Sequence, residues 1–467
     1  MNRDIKLPEY VEEILRRLEE AGFEAYAVGG CVRNPLMGLE VSDYDITTSA
    51  LPEETKAVFS DMRIIETGIK HGTVTVLSKN SQDNSEYNTA EITTYRTDGL
   101  YTDRRHPESV TFTRSLEEDL ARRDFTVNAI AYSDRRGIVD LYGGLKDIEN
   151  NVLRCVGRAE KRFQEDALRI MRGLRFMSVY GLKPDEETDA AFHSQKELLK
   201  CVSPERINAE LCKLLCGRSE YLSEVLKRYY DVFAVFIPEI NDCYGFEQHT
   251  HYHCFDVWEH TAEAVCGVEP VVRLRLAMLL HDLGKPACYS FYNGEGHFKG
   301  HAAVSGSICE RVMSELRFDS ETHKRVLFLV QRHDMVMLND PAVIKKQLGR
   351  FGEEGYFDLL KVHIADDSAK AAVAQGRIEG YRQAEETAQK IIRDRECFSL
   401  KALALNGNDV MKSGYRGREV GIVLDFLLNS VIEEKCANNS EALIQFLTQN
   451  KDILTENLKG CDRFVVG

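Results

Sequence analysis

Apolar residues return at helical spacing over residues 8–22, where Val11, Ile14, Leu15 and Leu18 share one face and Gly22 ends the run. That pattern predicts an amphipathic helix. A short apolar run at residues 26–28 then meets Gly29-Gly30, and a helix-length segment leads on to Asp43 and Asp45, just ahead of Ile46. Residues 52–60 read as a further helix with Pro52 near its start. Residues 72–77 alternate as a strand, residues 78–88 form a polar hairpin tip, and residues 90–96 are the returning strand. Ser115 followed by Glu118 has the spacing of a capping box, and residues 140–147 form a turn that closes the region. Helices mixed with antiparallel strands predict a small α/β domain.

The pattern becomes helical from about residue 150. Residues 163–176 carry no proline and read as one helix. Its apolar side is Phe163, Ala167, Ile170, Met171, Leu174 and Phe176; its polar side holds Glu165, Asp166, Arg169, Arg172 and Arg175. Ser203 and Pro204 mark the cap and first position of another helix. Helices with interspersed histidines continue over 226–400, and a last helical segment begins near Leu400. The expected architecture is an α/β head at 1–150, a helical neck at 151–225, a helical body at 226–400 and a helical tail at 401–467.

A chain of 467 residues with 43% hydrophobic and 29% charged content fits a soluble multidomain protein. No apolar run reaches the roughly 20 residues of a membrane helix, so no membrane partner is expected. The first residues lack the apolar core of an export signal. The 13 cysteines include no C-x-x-C pair, which favours reduced thiols in a cytoplasm; Cys212 and Cys216 share a helical face and are read as core. The net charge of −15 excludes a surface that is basic throughout. Residues 151–180 nevertheless carry seven Lys/Arg against three Asp/Glu, a local stripe (Arg154, Arg158, Lys161, Arg162) suited to nucleic acid.

Two carboxylates two apart on a strand point the same way and can hold hard cations such as Mg²⁺ through oxygen. A Gly29-Gly30 turn has no Cβ to keep a phosphate from its backbone N–H groups, and Arg33 follows within reach. These features fit a nucleotidyl-transfer site, although D-x-D also occurs in solvated turns. On one helix, Asp166 and Arg169 would be neighbours. A carboxylate accepting from an exocyclic amine, beside a guanidinium donating to a ring acceptor, matches the pairing edges of cytosine and adenine and mismatches uracil and guanine. Each mismatch leaves buried groups unpaired, at about 1–3 kcal/mol. The same spacing also makes an ordinary surface salt bridge.

Several stretches together resemble the bacterial class II CCA-adding tRNA nucleotidyltransferases, the kind with an HD domain, within the tRNA nucleotidyltransferase/poly(A) polymerase family. They are Gly29-Gly-Cys-Val-Arg33 with Asp43-Tyr-Asp45, residues 67–73, Arg122-Arg-Asp-Phe-Thr-Val-Asn-Ala129, Glu165-Asp-Ala-Leu-Arg169, residues 204–210, Asn406-Gly-Asn-Asp409 and Gly414-Tyr-Arg-Gly-Arg-Glu-Val-Gly421. The resemblance covers nearly the whole chain. It implies an elongated multidomain protein that adds C, C and A to tRNA 3′ ends from CTP and ATP. Asp43 and Asp45 would bind two Mg²⁺ ions, with Glu91 on the facing strand either a third carboxylate or a plain strand acid. Gly30, Arg33 and Arg123 would hold the nucleotide, and Asp124 and Asn128 would contact its ribose or brace the site. Asp166 and Arg169 would read the base with Glu165 orienting the arginine, and Arg172 and Arg175 would complete the pocket. Residues 98–107 resemble the flexible loop of full CCA enzymes. Asn34 stands where the family usually has Asp. Lys412, Arg416 and Arg418 would grip tRNA phosphates.

The histidines form a second constellation. His260, His281-Asp282 followed by Leu-Gly-Lys-Pro, His301, His333 and Asp366 follow the order of HD phosphohydrolases. Imidazoles and carboxylates spread over several helices can converge on one or two divalent transition metals. The resemblance implies phosphatase or 2′,3′-cyclic phosphodiesterase chemistry, or a helical scaffold that only supports tRNA. Three alternatives stay open: an HD phosphohydrolase whose head only binds nucleotides, a partial (A-adding or poly(A)) nucleotidyltransferase, and a non-catalytic tRNA-binding protein.

Overall fold

The computed structural model describes residues 5–66, 68–79, 87–98, 110–451 and 454. They form two compact units. One comprises Met1–Asn241 with Val312–Phe318, the other Asp242–Arg311 with Asp319–Gly467.

The first unit is built on a seven-stranded mixed sheet. Its strands are β1 (Ala25–Val28), β2 (Tyr44–Thr48), β3 (Arg63–Ile65), β4 (Thr73–Lys79), β5 (Tyr87–Thr94), and two strands from later in the chain. Between these come β6 (Arg96–Asp98) and β7 (Val110–Phe112), which pair only with each other; the sheet then resumes with β8 (Ile130–Ser133) and β9 (Gly137–Asp140). The spatial order is β3-β4-β5-β2-β1-β8-β9. β1 is buried along its whole length and lies antiparallel to both β2 and β8. β2 and β5 run parallel, in a register that sets Asp45 opposite Glu91. Tyr95, buried, separates β5 from β6, so the strand expected over 90–96 is two shorter ones. Residues 80–86 of the expected hairpin tip, Thr67, and the loop at 98–107 beyond the backbone of Asp98 lie outside the described residues.

Five helices flank this head: α1 (Glu9–Glu20), α2 (Gly30–Leu36), α3 (Pro52–Val58), α4 (Leu116–Ala121) and α5 (Gly144–Glu149). α1 buries Val11, Ile14, Leu15 and Leu18, the face that the apolar spacing marked. Ser115 caps α4 by accepting from the Glu118 N–H, but the Glu118 carboxylate turns to the Thr113 hydroxyl instead of completing the box.

The helical region that follows contains α6 (Ala159–Glu165), α7 (Leu168–Tyr180), α8 (Glu186–Ser194), α9 (Pro204–Leu215) and α10 (Ser219–Arg228). The single helix expected over 163–176 is therefore two. Asp166 interrupts it with φ −138° and ψ 104°. Its Oδ1 accepts from the Leu168 N–H at 3.1 Å, the local side-chain bond by which Asp starts a new helix in place of continuing an old one. Ser203 stands at the N-cap of α9 without a side-chain capping bond, and Cys212 and Cys216, expected in the core, are half-buried.

The second unit is mostly helical, with a hairpin (Ser290–Tyr292 with Glu295–His297) inside the stretch expected to be all helix. Its C-terminal part packs Val410, Val423, Leu427, Leu443 and Leu447 into a core. The Asn406-Gly-Asn-Asp409 stretch proves to be a capping box. The Asn406 side chain accepts from the Asp409 N–H, and the Asp409 carboxylate accepts from the Asn406 N–H. No helix among the described residues is long and apolar enough to cross a membrane.

Candidate active site and metal centre

The head site begins at the turn from β1 into α2. Gly29 has φ 75° and ψ −128°, a conformation open to glycine. A Cβ there would stand 3.7 Å from Arg123 Nη1 and 3.8 Å from Asp45 Oδ2. Turn, guanidinium and carboxylate thus converge on one point. Val28 is paired with Asp45 across β1 and β2, which fixes that approach. Asp43 lies one residue ahead of β2, and its Oδ2 accepts from Ser42 Oγ at 3.1 Å. Asp45 and Glu91 both reach solvent, yet the protein packed behind them holds both above the usual carboxylate pKa; Asp43 adds to this at Asp45 against the pull of Arg123 and Arg172, and Asp45 and Asp43 add to it at Glu91. Crowded carboxylates of this kind suit a cation. The described head residues do not close into a ligand set of three or more, and Mg²⁺ is commonly held by one or two carboxylates together with substrate phosphates.

The surrounding arginines are held by partners that the sequence did not single out. Asp119, fully buried, accepts from Arg122 Nε at 3.0 Å, Arg123 Nη2 at 3.3 Å and Thr47 Oγ1 at 2.9 Å. Burial opposes its charge, but the two arginines hold it below the usual range. Arg33 is 5% exposed; its guanidinium donates to Asn128 Oδ1, to Tyr180 Oη at 2.8 Å and to Asn34 Oδ1 at 2.8 Å, and lies 4.4 Å from the Tyr180 ring centroid. Asn34 uses its other end as well, donating from Nδ2 to the Glu40 carbonyl at 2.8 Å. An Asp could not donate there, so Asn34 braces both Arg33 and the α2 exit.

Asp124 and Asn128 likewise brace. Asn128 Nδ2 donates to Asp124 Oδ1 at 2.9 Å, and Arg172 donates to Asp124 Oδ2 at 2.8 and 2.5 Å. Arg175 Nε donates to the buried Glu210 at 2.6 Å. Asp166 and Arg169 come from adjacent elements and make no side-chain bond to each other among the described contacts. Arg206 Nη2 donates to Asp166 Oδ2 at 2.9 Å. Arg169 donates to Glu165 Oε2 at 2.9 Å and to the carbonyls of Arg162 and Arg122 at 3.1 and 2.7 Å, so three acceptors hold its guanidinium. The basic stripe is partly neutralised: Arg162 turns inward onto Glu165 and the Ala121 carbonyl, while Arg154 stays exposed and pairs with Asp147 and Asp185.

In the second unit His260, His281, Asp282, His301, His333 and Asp366 come together. The His281-Asp282 turn follows the Val272–Leu280 helix, and Gly284 lets it seat closely: a Cβ there would lie 2.6 Å from the His301 carbonyl. Each histidine directs Nδ1 at a backbone carbonyl: His260 at Ala369 (3.2 Å), His281 at Met278 (2.7 Å), His301 at Phe298 (2.9 Å), His333 at Val330 (2.7 Å). A carbonyl only accepts, so each Nδ1 donates and each Nε2 is left facing inward, the orientation of metal-ligating histidine. Among the described residues, His260, His281, Asp282 and Asp366 place ligand atoms within 4.8 Å of one another, as do Asp282, His301 and His333. These buried groups can hold metal. His281 Nε2 is buried with no well-aligned hydrogen-bond partner. Lys285 and Lys370 lie 2.7 Å from Asp282 Oδ2 and Asp366 Oδ2. A cavity of about 730 Å³ opens over Asp282, His301, His333 and Asp366. It also exposes His363 and His253, absent from the expected set; burial pushes them down to about 4 and about 2.

Comparison with known proteins places this geometry. Residues 25–154 match the Poly A polymerase head domain, 181–244 the Probable RNA and SrmB- binding site of polymerase A, and 304–447 the tRNA nucleotidyltransferase domain 2. The chain belongs to the tRNA nucleotidyltransferase/poly(A) polymerase family. A CCA-adding enzyme of Ligilactobacillus salivarius is 47% identical over 227 residues, which are 47% of this chain and 54% of that protein. One of Streptococcus uberis is 50% identical over 213 residues, 45% and 51% of the two chains. The chain thus spans about half the length of the curated relatives it matches. The structure of the Bacillus stearothermophilus CCA-adding enzyme in complex with CTP superposes with a TM-score of 0.73 at 28% identity, covering 96% of this chain and 98% of that one. Within the family frame, the charged residues of the first unit fall into two groups: carboxylates on β2 and β5 and just ahead of β2, and arginines held by Asp119, Asp124, Glu165 and Glu210.

Proposed function

We propose that this protein adds C, C and A to the 3′ end of tRNA from CTP and ATP without a nucleic-acid template, in the cytoplasm. The observation that carries this is the meeting of Gly29, Asp45 and Arg123 at one point, with Glu91 in register beside Asp45. We assign residues 1–150 to the catalytic head, 151–225 to the base-reading neck, 226–400 to the body and 401–467 to a tRNA-binding tail whose Lys412, Arg416 and Arg418 are exposed.

Asp43 and Asp45 would hold two Mg²⁺ ions, which when bound supply activation of the tRNA 3′-hydroxyl and neutralisation of the leaving pyrophosphate. The Gly29-Gly30 backbone approaches the triphosphate, and Arg33 and Arg123 bind its charge. Arg33 cannot swing freely, because Asn128, Asn34 and Tyr180 fix its guanidinium. Glu165 and two backbone carbonyls fix Arg169, which donates to the acceptor on the base edge. Asp166 accepts from the exocyclic amine, so it must share its carboxylate with Arg206 or release it. Base choice is then set by protein groups that both C and A satisfy. Incubation of the protein with tRNAs ending before, within and after the CCA, supplied with each nucleotide separately, tests this. Two C residues and then one A are expected. Incorporation of A alone, or of a run of A, would overturn the assignment, as would full activity in an Asp43→Ala/Asp45→Ala protein.

The convergence of His281 Nε2, which has no well-aligned hydrogen-bond partner, with His260, Asp282 and Asp366 favours a second activity. We assign the His/Asp cluster to a transition-metal-dependent phosphohydrolase centre of the HD type. Loss of phosphate-ester hydrolysis in His281→Ala, with nucleotide incorporation retained, is the expected result.

A further inference from the structure

Arg33 is a buried cation whose direct partners are all uncharged: the side-chain oxygens of Asn128 and Asn34 and the Tyr180 hydroxyl. Its neighbours differ. Arg33, Arg172 and Arg175 gather around the Phe176 ring, with Cζ atoms 5.0, 5.5 and 4.5 Å from its centroid. Arg172 pairs with Asp124 and Arg175 with Glu210. No carboxylate pairs with Arg33 among the described residues. Three cations around one ring therefore meet two carboxylates. Burial is the chief force lowering the Arg33 pKa, and Arg175 and Arg172 add to it against Tyr180 and Asp124. A dry guanidinium without a counter-charge is costly, and an anionic ligand relieves that cost.

Asn34 leaves the charge uncancelled. Its Oδ1 accepts from Arg33 Nε at 3.2 Å and from Nη2 at 2.8 Å, where a carboxylate would form an ion pair. Its Nδ2 donates to the Glu40 carbonyl at 2.8 Å. The guanidinium only donates and the carbonyl only accepts, so a single orientation of the amide satisfies both. Arg33 has five N–H groups. Asn34 takes two, Tyr180 one and Asn128 one, and the remaining Nη1 hydrogen has no partner among the described contacts. The phosphate turn is adjacent: a Cβ on Gly30 would lie 3.8 Å from Arg33 Nη2.

We propose that Asn34 is a positioning residue that sets the affinity of the head for a polyphosphate: it holds Arg33 with an uncharged acceptor and leaves the guanidinium's charge to the ligand. An acid at the same position would keep the hold and cancel the charge. This rests on the reading of Arg33 as a triphosphate ligand. The ligand class is the polyphosphate chain itself, whatever base it carries, so the gain is the same for CTP and ATP.

The test uses the full chain with Mg²⁺ and inorganic tripolyphosphate, which has neither base nor sugar. Calorimetric titration compares the parent protein with Asn34→Asp and Asn34→Ala. Both variants lose the bond to the Glu40 carbonyl, but only the first adds a charge. Asn34→Asp should weaken tripolyphosphate binding by about tenfold, the scale of a hydrogen bond to a charged group. It should raise KM for CTP and ATP by the same factor, with kcat and base choice kept. Asn34→Ala should weaken tripolyphosphate binding by less than about threefold. Equal losses in the two variants, as a purely structural brace would give, or undiminished binding in Asn34→Asp, overturn the proposal. A protein that adds no C or A but shows the expected difference in tripolyphosphate binding keeps the proposal and removes the CCA assignment; one that adds C, C and A with unchanged binding in Asn34→Asp does the reverse.

Discussion

Asp124 and Arg172 tie the sheet domain to the helix that carries Arg169: Asp124 Oδ2 accepts from Arg172 Nε at 2.8 Å and from Nη2 at 2.5 Å. Asp124 is 7% exposed and also accepts from Asn128 and from the Phe125 N–H. Truncating one member of a buried pair leaves the other charge unpaired, at about 3–5 kcal/mol when both are dry. The Arg172 side chain is 34% exposed, so water compensates in part and about 2 kcal/mol is expected for Asp124→Ala, read by urea unfolding. Incorporation of CTP and ATP should fall together, because Arg172 and Asn128 both lose their anchor.

The same pair sets a pH dependence. Burial opposes ionisation of Asp124, but Arg172 and Asn128 more than offset it, and the carboxyl is held well below the usual range. A depressed folded pKa contributes stability that is complete above the unfolded value of about 3.9 and is lost as pH falls through the folded one. The stability difference between the parent protein and Asp124→Asn should be constant from neutral pH to about 5. It should shrink on acidification below about 4. Unfolding free energies measured across that range check the sign; a gap that widens in acid contradicts it.

Glu165 acts through Arg169, which it holds at 2.9 Å. Glu165→Ala leaves Arg169 its two carbonyl partners, so the guanidinium loses one restraint of three. Discrimination against UTP and GTP should weaken by about 10–100-fold, the equivalent of roughly 1–3 kcal/mol, with CTP incorporation reduced less. Single-nucleotide incorporation with all four triphosphates measures it. Unchanged discrimination would detach Glu165 from base choice.

The periodicity of α1 and the alternation of β4 and β5 were legible because burial alone decides them. The acid pair and the His-Asp turn were legible because their chemistry is written in residue type and order. The break at Asp166 was not. Residues 163–176 have a helical pattern, and only the Leu168 N–H and Arg206, forty positions away, disclose that the Asp side chain competes with the backbone. Asp119 was missed for a similar reason. Within Glu117-Glu-Asp it reads as one more acid at a helix start, where negative charge is ordinary. Its burial under Arg122, Arg123 and Thr47 depends on contacts from β2, distant in sequence. The stripe of arginines was overcounted because charge shows in a sequence but the partner that neutralises it does not.

Glu91 can be separated from an ordinary strand acid by its metal dependence. It sits in register with Asp45, and burial, with the nearby Asp45 and Asp43 carboxylates adding to it, raises the Glu91 pKa. A carboxylate that helps to hold or orient the cation, when replaced by a neutral amide of the same shape, should cost about 10–100-fold in metal affinity or activity. Glu91→Gln should therefore shift the Mg²⁺ concentration for half-maximal incorporation upward by about that factor, with partial recovery at high Mg²⁺. Asp45→Asn should not recover at any Mg²⁺ concentration. A Glu91→Gln protein with the parent's Mg²⁺ curve would assign Glu91 to the strand alone and leave Asp43 and Asp45 as the metal-holding pair.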